Sequence, residues 1–160
     1  MAQESTVDWN EGRRLDEVEL FGGRLTFLIP HEWVVNEEEK KATDFCSYVS
    51  PALPSGWFRA SLITINNVAD PEERLQGLFA GQDYDIEEEN GNFVARSEKE
   101  SSEDGRALRI LCWAVGNFVR PDVVREALFS YTVLADALNE RDIQREIELI
   151  DKLVRQAQFS

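Results

Sequence analysis

Apolar and polar positions along this chain follow two periods, and the switches between them mark the elements. Asp16–Phe21 and Arg24–Ile29 flank Gly22-Gly23, a pair suited to the positive φ angles of a tight turn. With the turn centred there, Leu20 faces Leu25 and Val18 faces Phe27 on one side, and Glu19 faces Thr26 on the other. A one-residue slip destroys this sorting, so the pattern sets the register. Pro30 ends the second strand. Trp33, Val34 and Val35 predict a short strand, and Glu37–Lys41 an exposed turn. Phe45–Val49 reads as a strand, after which Pro51, Pro54 and Gly56 mark a loop. Phe58–Val68 is a longer strand, with Phe58, Ala60 and Leu62 alternating against Arg59 and Ser61. Pro71–Ala80 is predicted as a helix: Asp70 suits the N-cap, Pro71 the first helical position, and Glu73 completes a capping box. Leu75, Leu78 and Phe79 form its stripe. Tyr84–Glu88 and Phe93–Ser97 are short strand candidates around Asn90-Gly91, and Glu98–Gly105 reads as a polar loop.

The strongest β signal is Arg106–Arg120 and Val123–Asp136 around Pro121-Asp122. Centring the turn there pairs Val115 with Leu128 and Trp113 with Ser130 on one face. Ala114 with Phe129, Cys112 with Tyr131, and Ile110 with Val133 fall on the other. Both faces are largely apolar, which predicts a sheet covered on both sides. A last helix runs from about Glu140 to Ala157, capped by Asn139. Ile143, Ile147, Ile150, Val154 and Ala157 recur at helical spacing and form one stripe for a core. These elements predict an α+β fold: an antiparallel sheet of about six strands with helices packed on both faces. Residues 15–160 form the domain, and residues 1–14 a flexible N-terminal arm.

Length and charge narrow the function. At 160 residues the chain can bury a full core without a metal or a disulfide. It carries 17 Lys and Arg against 31 Asp and Glu, a net charge of −14. Nucleic acid and anionic membranes both demand clustered positive charge, so neither is expected as a partner. No apolar run approaches the length of a membrane span, and Met1–Arg14 has no signal-peptide core, which predicts a cytoplasmic protein. The excess charge is uneven. Residues 105–160 hold eight acids and eight bases, whereas 83–104 hold nine acids against Arg96 and Lys99.

Candidate chemistry is sparse. There is one histidine, His31, and two cysteines, Cys46 and Cys112, set far apart in apolar patterns. That predicts buried, reduced thiols and no zinc site. Asp83, Asp85 and Glu87 mimic the start of a calcium loop. Its sixth position, however, needs Gly and its twelfth a carboxylate, where this chain has Glu88 and Val94. They read instead as a solvated acidic edge. No nucleophile elbow, phosphate loop or distinguished carboxylate pair occurs. No catalytic residue, cofactor or metal is therefore expected. Trp57, beside Phe58 in the Pro/Gly loop, reads either as an exposed anchor for a partner or as a plug folded back on the end of the sandwich.

The segments RLTFLIPHEW, RASLITINNV leading into DPEERLQGLF, and the terminal LIDKLVRQAQF resemble the PsbP-like superfamily over roughly residues 15–159. The shared start is Phe27, Pro30 and Trp33. That superfamily includes photosystem II PsbP, the Ran-GTPase release factor and type VI effector chaperones. The resemblance implies a central antiparallel sheet with helices on both faces, and a binding protein rather than an enzyme. The expected function is a non-catalytic cytoplasmic protein-binding domain, an adaptor, chaperone or immunity-type protein. Its partner is a protein with a basic surface, met by Trp57, Phe58, Asp83, Asp85 and Glu87. The alternative is a small enzyme or ligand-binding domain with an unrecognised pocket, which a deep polar cavity would favour.

Overall fold

The computed structural model describes residues 13–36, 45–50, 53–71, 73, 74, 77 and 86–160. Among these, strand dominates. A three-stranded antiparallel sheet has the order β1 (Leu15–Leu20), β2 (Leu25–Pro30), β10 (Gln158–Phe159). A seven-stranded antiparallel sheet has the order β3 (Val34–Val35), β4 (Phe45–Ser50), β5 (Leu53–Ile65), β9 (Val123–Leu134), β8 (Arg106–Arg120), β7 (Asn92–Glu103), β6 (Ile86–Glu89). One long helix, α1 (Arg141–Arg155), follows a 3-10 turn at Ala135–Ala137.

The first hairpin has the predicted register, Leu20 to Leu25 and Val18 to Phe27. Its turn takes positive φ at Phe21, Gly22 and Gly23 in succession, a path two glycines make accessible. This hairpin does not extend the large sheet. Leu20, Leu25, Phe27 and Ile29 are buried in the same core as Ile143, Ile147, Ile150 and Val154 of α1. The small sheet and the helix therefore lie together on one face of the large sheet. That face, the inner one, carries Phe58, Leu111, Trp113, Val115, Phe129 and Val133, all nearly inaccessible. Phe58 stacks on Phe129 with centroids 5.8 Å apart, and Phe27, Trp33 and Tyr48 close the aromatic cluster around them.

The expected single sheet of about six strands with helices on both faces is corrected on three counts. First, the strands form two sheets. Second, Glu98–Glu103 is not a loop but the outer half of β7, paired to β8 through a turn at Asp104-Gly105, both at positive φ. Its charge is compatible with strand because Glu98 and Glu100 pair across the ladder with Arg109. Third, helix covers the inner face, whereas the outer face keeps large apolar side chains in solvent. The predicted Pro71–Ala80 helix is described only at Pro71, Glu73, Arg74 and Gly77, which are helical. There the Glu73 backbone N–H donates to Asp70 Oδ1 at 3.1 Å, the predicted cap. The rest of that helix lies outside the described residues.

The long hairpin is also shifted. Trp113 pairs with Phe129 and Val115 with Ala127, one residue from the predicted partners, because a bulge between Phe118 and Arg120 leaves Val119 unpaired. The shift gathers Leu111, Trp113, Val115, Ala127, Phe129 and Tyr131 on the inner face. It sends Cys112, Ala114, Leu128 and Ser130 to the outer one. Burial drives the choice: every residue of the first set is at most 3% exposed, whereas Leu128 is 40% exposed.

Candidate functional site: the outer face of the large sheet

Because side chains alternate along a strand, the residues between those of the core project from the opposite face. Cross-strand pairing arranges them in rows. At one end Val34 pairs with Val49, Val49 with Trp57, Trp57 with Thr132, and Thr132 with Ile110. Val34, Val49 and Trp57 are 51%, 47% and 37% exposed, so three adjacent strands present one continuous apolar row to solvent. The next row is polar: Ser47, Arg59, Ser130, Cys112 and Ser97. The third contains Ser61, Leu128, Ala114, Ala95 and Ile86. Towards the Pro121-Asp122 turn the same face closes, where Phe93, Ala95 and Val124 are buried with Ile65 and Val68 against them.

The middle rows form a concavity of about 450 Å³ whose rim includes Arg59, Ser61, Lys99, Cys112, Leu128 and Ser130. Its described lining comes from the strands of one sheet face. Burial pushes the Cys112 thiol up, against the opposing pull of Lys99 and a hydrogen bond with Ser97. Neither cysteine is in a disulfide, with Cys46 buried on the inner face and Cys112 half-buried on the outer one. Among the described residues no group of three His, Cys, Asp or Glu side chains is arranged to hold a metal.

Among the described residues, the sequence-predicted Trp57, Phe58 and Glu87 do not share one surface. Trp57 lies not in a loop but within β5, on the outer face. Gly56 belongs to the strand because a Cβ there would collide with the Tyr131 hydroxyl packed against it. Phe58 points the opposite way and is 2% exposed, so its ring faces the core rather than a partner. Glu87 sits on β6 at the far edge of the sheet, opposite Val94 of the inner face, and binds Arg155 of α1 at 3.2 Å. Asp83 and Asp85 lie outside the described residues. Val34, Val49 and Leu128 were not singled out from sequence. Their signal exists only as pairing between strands distant in the chain.

The N-terminal segment also differs from a free arm at its inner end. The Arg14 carbonyl accepts from the His31 backbone N–H at 2.9 Å, and Arg13 forms ion pairs with Glu32 and the buried Glu146. Residues 1–12 of that arm lie outside the described residues. No helix among the described residues is long and apolar enough to cross a membrane.

No protein-family model matches this chain, and no curated protein matches it either. Solved structures do. LpqN of Mycobacterium tuberculosis, involved in cell envelope biogenesis, aligns with a TM-score of 0.61 and 16% identity over 96% of each chain. The Ran-binding protein Mog1p of Saccharomyces cerevisiae aligns with a TM-score of 0.56 and 14% identity, over 92% of this chain and 96% of its own. A protein of Bacteroides thetaiotaomicron gives 0.61 and 15% over 90% of this chain; this chain spans 48% of its length. These likenesses concern the fold, and together they show that the chain has the PsbP-like fold its sequence resembles.

Proposed function

We propose that this chain is a non-catalytic protein-binding domain, and that its partner docks on the outer face of the large sheet with Trp57 as an anchor. The observation that carries the reading is the exposed apolar row Val34, Val49, Trp57. Aromatic side chains framed by smaller apolar ones are the commonest energetic centres of protein interfaces. A row of this kind on a folded sheet costs solubility unless something covers it. The fold supports the reading as well, since Mog1p, which shares it, is a Ran-binding protein.

The partner's chemistry follows from charge. At −14 this chain attracts a basic surface, and Glu87, Glu88 and Glu89 of β6 are all exposed at the sheet edge. An adaptor or chaperone working in a reducing cytoplasm fits two cysteines that are not disulfide-bonded. The test is affinity capture with wild type and Trp57→Ala in parallel, with thermal unfolding of both. The reading expects a partner held by wild type and reduced at least about fivefold on the variant, a loss of ~1 kcal/mol. Trp57→Ala should remain folded at the capture temperature, and added salt should slow association. Equal capture by both proteins would overturn it.

A further inference from the structure

Glu146 of α1 is 1% exposed, and a carboxylate at that depth is costly unless its charge and lone pairs are met. Its Oε1 accepts from Arg13 Nη1. Its Oε2 accepts from Trp33 Nε1 at 3.0 Å, with Arg13 Nη2 3.5 Å away. The arginine fork is divided, because Nη2 also donates to Glu32, a surface residue. The Arg13 side chain stays 29% exposed, so it can be reached from solvent. Beside it stands Tyr131, 2% exposed, whose hydroxyl has no hydrogen-bond partner among the described residues and feels the charges of both Glu146 and Arg13. Gly56 leaves the space that hydroxyl occupies. A buried hydroxyl without a partner is destabilising. Arg13, tethered to β1, therefore leaves the pocket incompletely satisfied.

We propose that Glu146, Trp33 and Tyr131 form an arginine receptor, filled by the chain's own Arg13 and able to take an arginine side chain of a protein partner when Arg13 withdraws. A guanidinium suits it better than an ammonium. Glu146 presents two fixed oxygens, Tyr131 a further oxygen, and five planar N–H donors can meet several at once. Exchange keeps the buried carboxylate paired throughout, whereas simple release of Arg13 leaves it bare. The chain's net charge of −14 favours arrival of such a partner. The receptor stands on its own geometry; the step to a partner's arginine rests on the protein-binding reading.

The test is thermal unfolding of the full chain as Arg13→Ala, with N-acetyl-arginine amide as the probe and N-acetyl-lysine amide as its control. The arginine probe, several times above its dissociation constant, should raise the melting temperature of Arg13→Ala by about 2–4 °C. The lysine control should give less than half of that. Wild type, with its pocket filled, should not respond, nor should Arg13→Ala/Glu146→Gln. No response of Arg13→Ala, or an equal response of wild type, overturns the receptor. Should Arg13→Ala fail to fold, Arg13→Lys keeps the charge, loses the fork and is read by the same comparison with wild type. The partner step fails separately: a captured partner whose affinity is unchanged by Glu146→Gln overturns it while probe binding leaves the receptor standing.

Discussion

Trp57 and Phe58 are neighbours in sequence and opposites in setting. Phe58 lies under the helix and the small sheet, ringed by Phe27, Trp33, Tyr48 and Phe129. Trp57 lies on the other side of the same strand, beside Val49 and in solvent. The same division runs across the sheet: Phe129 is 1% exposed and Leu128 is 40% exposed. Two faces made by the same strands thus carry different work. The inner face holds the fold together. The outer face leaves Val34, Val49 and Trp57 partly exposed at one end, and that end is the proposed binding surface.

The largest effects should fall on the inner face. Phe129→Ala removes a ring from the centre of the aromatic cluster and should cost ~3–5 kcal/mol in urea unfolding. Leu128→Ala, one residue away, should cost under about 1 kcal/mol. Similar costs at the two positions would erase the distinction between faces.

Next comes the buried ion pair that closes the inner face. Removing one partner of a fully buried pair costs about 3–5 kcal/mol. Arg13 retains exposure, so Arg13→Ala should cost less, about 1–3 kcal/mol. Arg13→Ala/Glu146→Gln should be more stable than Arg13→Ala, because no bare carboxylate remains while Trp33 keeps an acceptor. A double variant less stable than the single one would show that the charge pair is not what matters there.

Trp57→Ala should cost less than Phe129→Ala, because 37% of Trp57 is already exposed whereas Phe129 is 1% exposed. The smallest effect concerns Glu126, an outer-face residue that is 8% exposed at the closed end of that face. Burial raises its carboxyl above the ordinary range. The folded form then holds this proton more tightly than the unfolded chain does. Stability from this group is complete at low pH and declines as pH rises from the unfolded towards the folded value. Glu126→Gln should match wild type near pH 3 and exceed it at pH 7. A variant less stable at pH 7 would mean that Glu126 has a stabilising role as an anion.

What the sequence revealed depended on whether a wrong register would have left a visible trace. In the first hairpin, a slip puts Glu19 among leucines, so the pairing of Leu20 with Leu25 was legible. In the long hairpin both faces are apolar, and Trp113 sorts almost as well with Ser130 as with Phe129. The bulge at Val119 was therefore invisible. The Glu98–Glu103 strand was hidden because its stability comes from cross-strand ion pairs and a turn at Asp104-Gly105, not from alternation. Trp57 was noticed, but as a loop residue, since Pro54 and Gly56 are usual loop markers. The glycine is instead a strand residue that makes room for Tyr131. Val34 and Val49 read as strand residues but gave no sign of a site, because their row exists only once β3, β4 and β5 pair.

The outer face holds a natural reporter. Cys112 is half-buried among the polar row of that face, whereas Cys46 is 1% exposed and serves as an internal control. The direct test of docking there is the rate of Cys112 alkylation with the captured partner present and absent, read by mass spectrometry. The account predicts that the partner slows Cys112 modification severalfold while Cys46 stays unmodified in both states. An unchanged Cys112 rate in a saturated complex would place the partner elsewhere and contradict the assignment of binding to the outer face.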